Sequence, residues 1–147
     1  MFLDAKMQPQ VATVTSLDMA RGEIIIPRSR DGHYYVGGSI NGRPLIFMVD
    51  TGASTVVVSA DLAAKIGLTR GVATPFKTAG GTVWGETVSD QTIEAGGIQL
   101  KGLRVGVVMQ MGQRDYALLG QNFLRHIDVI QSDDQMVLRV KSGSDAR

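Results

Sequence analysis

The chain contains no cysteine, which excludes disulfides, thiol nucleophiles and thiolate-ligated metals. Its two histidines, His33 and His126, lie far apart in sequence. A histidine-based metal site or a serine–histidine–aspartate triad is therefore poorly supported. Neither sign of charge is in excess: 15 Lys and Arg against 14 Asp and Glu give a formal net charge of +1. Such a balance leaves no footprint for nucleic acid or a membrane surface. No apolar run is long enough to span a bilayer or act as a signal peptide, and the short Met1-Phe2-Leu3 start leaves open whether a targeting or anchoring segment lies upstream. Neither GxxxxGK[ST] nor GxGxxG occurs, and no helical pattern follows Gly80-Gly81, which disfavours a phosphate-binding loop.

What is present is the composition of one globular domain. The 147 residues are 44% hydrophobic and 20% charged, enough for a single core but not for two lobes of ordinary size. The 18 glycines fall between short β-branched runs, a pattern that favours a mostly β protein. Residues 1–22 read as an arm or poorly ordered leader with weak strand character at Val11-Ala12-Thr13-Val14, residues 23–140 as the domain, and 141–147 as a tail. A strand at Glu23-Ile24-Ile25-Ile26 is ended by Pro27, and Ser29-Arg30-Asp31-Gly32 is a turn. His33 to Val36 and Arg43 to Val49 flank Asn41-Gly42, a strong hairpin signal. His33 reads as a partly exposed structural residue.

Beyond it, Val56-Val57-Val58 is a buried strand, and Ser59 caps a helix, Ala60 to Ile66, that Gly67 stops. Phe76-Lys77-Thr78 and Thr82-Val83-Trp84 form a second hairpin around Ala79-Gly80-Gly81, whose glycines suit a mobile lid as well as a plain turn. A helix is expected from Asn122 to His126. A closing hairpin, Asp128 to Gln131 and Gln135 to Val140, surrounds Ser132-Asp133-Asp134.

The stretch that organises the chain is Phe47-Met48-Val49-Asp50-Thr51-Gly52-Ala53-Ser54. An apolar strand delivers one carboxylate, Asp50, onto a tight glycine turn. A carboxylate there is costly unless it is paired or hydrogen-bonded, and such groups concentrate at functional sites. An ordinary strand exit is the other reading of Asp-Thr-Gly. The later sequence helps to choose. Gly37-Gly38-Ser39-Ile40-Asn41-Gly42-Arg43-Pro44-Leu45 recurs in outline as Gly96-Gly97-Ile98-Gln99-Leu100-Lys101-Gly102-Leu103-Arg104. The first copy leads to Asp50-Thr51-Gly52 and the second to Ala117-Leu118-Leu119-Gly120, as in two halves related by a pseudo-twofold. Leu119 stands in the neighbourhood where the first half has its acid, so a site needing two facing carboxylates must take the second from another chain.

Val49-Asp50-Thr51-Gly52-Ala53, the glycine-tipped hairpin and Leu118-Leu119-Gly120-Gln121-Asn122-Phe123-Leu124 together resemble the retropepsins, single-domain aspartic proteases first known from retroviruses. Bacterial members are more similar, through Ile40-Asn41-Gly42, Ala63-Ala64-Lys65-Ile66-Gly67-Leu68 and Thr78-Ala79-Gly80-Gly81-Thr82-Val83. The resemblance covers roughly residues 23 to 140 and implies a closed, mostly antiparallel β-barrel-like fold with pseudo-twofold halves, one or two short helices and a flap hairpin. It also implies a homodimer in which each chain gives one Asp50, the two carboxylates sharing a proton and holding a water, because like charges so close do not both ionise cheaply. No cofactor, metal or covalent intermediate is implied, and the substrate is an extended polypeptide bound as an added strand.

By the same resemblance, Thr51 locks the two active-site loops across the dimer axis, Gly52 avoids crowding the carboxylates, and Ala53 takes the retroviral-type position. Ala53 has no hydroxyl to donate to the ionised carboxylate, which implies a mildly rather than strongly acidic optimum. Ala79, Gly80 and Gly81 match the flap tip. Trp84 is either on the flap's inner face or in the core. Leu119 and Gly120 belong to the second glycine loop. The chain departs from the viral pattern at Gln121, where those enzymes usually carry an arginine. Bacterial relatives are often membrane-anchored with the protease outside the cytoplasm, although no anchor or membrane contact is evident in these residues. Two other readings are a catalytically inactive retropepsin-like module for dimerisation or peptide binding, and an unrelated β-barrel with Asp50 in a turn.

Overall fold

The structure, a computed structural model, describes residues 11–12, 22–69, 71–109 and 115–141. Most of the expected leader and tail, Thr13 and Val14 included, therefore lie outside the described residues. Among the described residues, eleven strands and two short helices follow in chain order: β1 Val11–Ala12, β2 Glu23–Pro27, β3 Tyr35–Ile40, β4 Arg43–Val49, β5 Val56–Ser59, α1 Ala60–Lys65, β6 Val72–Thr78, β7 Gly81–Ala95, β8 Ile98–Val108, β9 Tyr116–Leu119, α2 Gln121–Leu124, β10 Ile127–Gln131 and β11 Gln135–Val140. Among the described residues no helix is long and apolar enough to cross a membrane.

Local chemistry makes the first hairpin. Asn41 and Gly42 both take positive φ, 53° and 82°, as a primed two-residue turn requires. Tyr35 then pairs with Met48 and Ile40 with Arg43, and β4 is aimed so that Phe47 is fully buried. β4 runs parallel to β9, Val49 beside Leu119. β5 runs parallel to β8, Val56 beside Val105, and meets β9 at Val57 and Leu118. The long hairpin of β7 and β8 returns to β3, where Gly38 lies opposite Ala95. A β-carbon on Gly38 would run into the Glu94 carbonyl and come within 2.9 Å of the Phe47 ring, so a residue without one lets the strands close a six-stranded barrel. The resulting order is β3-β4-β9-β5-β8-β7 and back to β3, with β6 added outside β7. A separate three-stranded sheet, β10-β11-β2, covers one end of the core with Ile24, Ile26, Met136 and Leu138. Burying an aliphatic side chain of this size contributes about 1.5–3 kcal/mol.

The pseudo-twofold is visible in the pairings: β4 with β9 on one side repeats as β8 with β5 on the other. Its register differs from the sequence outline. The turn equivalent to Asn41-Gly42 is Gly96-Gly97, between β7 and β8, whereas Gly102 is inside β8 with φ 76° at a bulge facing Asp90. The glycine-pair outline thus sets a turn against a bulge. In consequence Leu119-Gly120-α2 is the counterpart of Ser59-α1.

Candidate active site

Asp50 leaves the end of β4 half-buried, with Thr51 and Gly52 exposed beyond it. Its backbone N–H donates to the Leu119 carbonyl at 3.0 Å, and its own carbonyl accepts from Ala53 N at 3.1 Å. The Gly52 N–H donates to Asp50 Oδ1 at 3.0 Å, which fixes the carboxylate against its own turn. An acid stranded at the end of a buried run is thus hydrogen-bonded, as its cost demands.

The second glycine loop clamps the first. Gln121 N donates to the Ala53 carbonyl at 2.8 Å and Asn122 N to the Ser54 carbonyl at 3.1 Å. Gly120 makes this approach possible: a β-carbon there would overlap the Thr55 carbonyl oxygen and stand 2.8 Å from the Ala53 oxygen. The Gln121 side-chain amide donates to the Thr51 carbonyl at 2.9 Å, so the residue that departs from the viral arginine braces the loop within one chain. Asn122, 6% exposed, accepts from Val56 N at 3.0 Å and donates to the Arg104 carbonyl at 2.8 Å. Sequence reasoning assigned no role to Asn122 and left the brace at Gln121 open. The available signal was a polar pair set inside the apolar run from Ala117 to Leu124.

Two cavities flank the loop. The larger, about 540 Å³, lies between Gly52-Ala53-Ser54-Thr55 and the hairpin of β6 and β7, and is lined by Val57, Phe76, Lys77, Thr78, Gly80, Val83, Val108 and Leu118. The Asp50 loop and the flap candidate are therefore brought together, with Gly80 lining the cavity and Ala79 and Gly81 beside it at the tip. The turn is two residues long, Ala79-Gly80, with Gly81 already paired to Thr78. A three-residue tip would set Trp84 opposite Phe76. The observed register sets Val83 there, and side-chain alternation turns Trp84 to the opposite face. Trp84 is 64% exposed and neither in the core nor in the cleft. It borders a groove with α1 on the outer side of the hairpin.

The smaller cavity, about 280 Å³, touches Asp50 itself, with His33, Met48, Thr51 and Gln131 around it. Beside it Asp31 accepts from the Tyr35 hydroxyl at 2.6 Å and from His33 N at 2.9 Å. Slight burial raises the Asp31 carboxyl, but the Tyr35 hydroxyl, the His33 N–H and the His33 charge outweigh it and hold the group below the usual carboxylate range. Burial and the adjacent Asp31 push the Tyr35 hydroxyl well above its ordinary value. Tyr35 also meets Tyr116 edge-on at 5.4 Å, which joins this corner to β9. His33 is exposed, and its backbone closes the turn by donating to Asp31 and accepting from Ser29 N.

Residues 36–126 match the protein-family profile described as "gag-polyprotein putative aspartyl protease". The fold is similar to the crystal structure of a retropepsin-like aspartic protease from Rickettsia conorii, with a TM-score of 0.69 at 31% identity, covering 81% of this chain and 91% of that one. An uncharacterised protein of Rickettsia prowazekii (strain Madrid E) is 30% identical over 120 residues, 80% of this chain and 51% of its own length. An uncharacterised protein from the cobV 5′ region of a Sinorhizobium species is 28% identical over 139 residues, 92% of this chain and 59% of its own length. The chain thus spans only a little over half of these curated relatives. With an Asp-Thr-Gly loop clamped by a second glycine loop under a β hairpin, and a family match over most of the barrel, the chain belongs to the retropepsin-like aspartic protease family.

Proposed function

We propose that the chain is an aspartic endopeptidase acting as a homodimer, with one Asp50 from each copy. The supporting observation is the placement of Asp50: half-buried, held by its own glycine turn and lining a small cavity, on a loop whose next residues, Gly52 to Thr55, face a cleft roofed by a hairpin. In this reading Thr51, Gly52 and Ala53 form the active-site loop, Ala79, Gly80 and Gly81 the flap tip, and Leu119 and Gly120 the supporting second loop. One ionised carboxylate takes a proton from a water that attacks the peptide carbonyl. The protonated one polarises that carbonyl, and a proton then passes to the leaving nitrogen.

The substrate is an extended polypeptide, held by strand-like hydrogen bonds from the flap. Val57, Phe76, Val83, Val108 and Leu118 favour an aliphatic or aromatic side chain beside the scissile bond. The test is cleavage of a denatured protein or peptide library, with and without an aspartic-protease inhibitor, beside Asp50→Asn. Inhibitable cleavage lost in Asp50→Asn, with dimerisation retained, is the expected result. Dimerisation or peptide binding without cleavage at any pH from mildly to strongly acidic would instead identify a catalytically inactive module.

A further inference from the structure

We propose that Phe76 sets the specificity of the cleft: its ring fills a glycine-floored recess and so selects aliphatic over aromatic substrate side chains. The proposal rests on the endopeptidase reading and narrows the side-chain class given for it.

The ring reaches across three strands. Phe76 lies on β6, which among the described residues pairs with β7 alone. Its partner there is Val83, and both line the cleft. From β6 the ring passes over Gly85 on β7 to Gly106 on β8. A β-carbon on Gly85 would stand 3.1 Å from ring atom Cε2, and one on Gly106 would stand 2.8 and 2.9 Å from Cε1 and Cζ. Beyond Gly106 comes its β5 partner, Val57, which is another wall of the cleft.

The two glycines have different causes. Neither takes positive φ, so backbone conformation demands neither. At Gly85 a β-carbon would run into the Val107 carbonyl oxygen, so the backbone forbids it. At Gly106 the nearest obstacles are side chains alone: the Phe76 ring, and Val57 at an ordinary 3.6 Å. With the ring gone, a side chain would fit there. Glycine inside a strand weakens it and often marks a close approach. Here the buried Gly106 makes room for a ring.

Phe76 is half-buried, so its ring both fills the recess and faces the cleft. The other walls include Val57, Val83, Val108 and Leu118, all branched aliphatic groups. A branched aliphatic side chain packs against these walls with the ring in place. An aromatic one needs the flat space between hairpin and floor that Phe76 already occupies. A single methylene too many in an apolar pocket changes selection about 10–200-fold, and a displaced ring is a larger misfit.

Peptides that differ only in carrying Val, Leu, Phe or Trp beside the cleaved bond test this by kcat/KM. Wild type is expected to favour the aliphatic members at least tenfold. Phe76→Ala is expected to abolish or reverse that preference, chiefly through KM. Adding Gly106→Val to Phe76→Ala refills the recess from its floor and is expected to restore it. Circular dichroism and a thermal melt check folding, and if Phe76→Ala does not fold, Phe76→Leu decides. An unchanged ratio in the folded variant, an aromatic preference in wild type, or a double variant as permissive as the single one overturns the proposal. If no peptide is cleaved, calorimetry measures their binding. A binding preference that shifts with Phe76 supports the filter and overturns the activity reading alone. Equal preferences in wild type and variant, or no binding, overturn both.

Discussion

Replacing Asn122 by alanine isolates what the second glycine loop contributes. The side chain ties α2 to β5 through Val56 N–H and to β8 through the Arg104 carbonyl. Alanine removes both partners, and the two orphaned groups differ. Val56 is 0% exposed, so its N–H has no route to water, and an unsatisfied buried donor costs about 1–3 kcal/mol. Arg104 lies in an exposed stretch, so its carbonyl recovers part of its loss from solvent. The sum is about 2–3 kcal/mol, a large share of the roughly 5–15 kcal/mol that holds a domain together.

With a urea slope of about 2 kcal/mol per molar, the unfolding midpoint falls by roughly 1–1.5 M. Equilibrium urea denaturation followed by circular dichroism measures it. Gln121→Ala, which loses one exposed hydrogen bond, is the control and shifts the midpoint far less. A shift for Asn122→Ala below about 0.3 M, within extrapolation error, would refute the claim that Val56 N–H is dry and singly satisfied.

Gly120→Ala forces α2 away from the Thr55 and Ala53 carbonyls. A displacement of about 1 Å at the loop is expected to lower kcat on the order of 10²-fold, read by steady-state peptide cleavage. Gly106→Ala brings a β-carbon within 2.8 Å of the Phe76 ring and pushes that ring into the cleft. KM is expected to rise severalfold and stability to fall by about 1–3 kcal/mol, seen in kinetics and a thermal melt. Asp31→Asn tests the Tyr35 corner. The folded-state value of Asp31 is lowered, so its contribution is fully present above the unfolded value of about 3.9 and is lost as pH falls through the folded one. Because Asp31 is exposed, wild type should exceed the variant by only about 0.2–1 kcal/mol at neutral pH, the gap closing below about pH 4 in acid-titrated denaturation. Tyr35 has the opposite sign: its contribution is complete below about pH 10 and is lost at higher pH, which alkaline spectrophotometric titration reads.

Features set by neighbouring residues were legible in the sequence. Asn41-Gly42 specifies its turn through two positive φ angles, and Ser59 caps α1 by accepting from Leu62 N at 3.1 Å. Asp50 stood out because a carboxylate closing an apolar strand is rare and costly. Features set by register were not legible. A hairpin tip one residue shorter than expected exchanged Val83 for Trp84 over the cleft, since a one-residue slip moves every side chain to the other face. Nor could spacing reveal that Gln121 serves Thr51, because their meeting depends on β4 and β9 lying parallel, with most of the barrel between them in sequence. The glycine outline failed for a related reason: it counted Gly102 as a turn, although backbone conformation made it a bulge.

The parallel pairing of β4 with β9 also orders the chain's birth. The Asp50 N–H waits for the Leu119 carbonyl, and the Ala53 carbonyl waits for Gln121. A ribosome adds about 5–20 residues per second and domains complete as units. A nascent chain that has exposed Asp50-Thr51-Gly52 therefore carries the acid for several seconds without the strand and helix that shape its loop. Assembly of the loop is deferred until nearly the whole barrel has been made, so an incomplete chain carries Asp50 on a loop that has not yet been shaped.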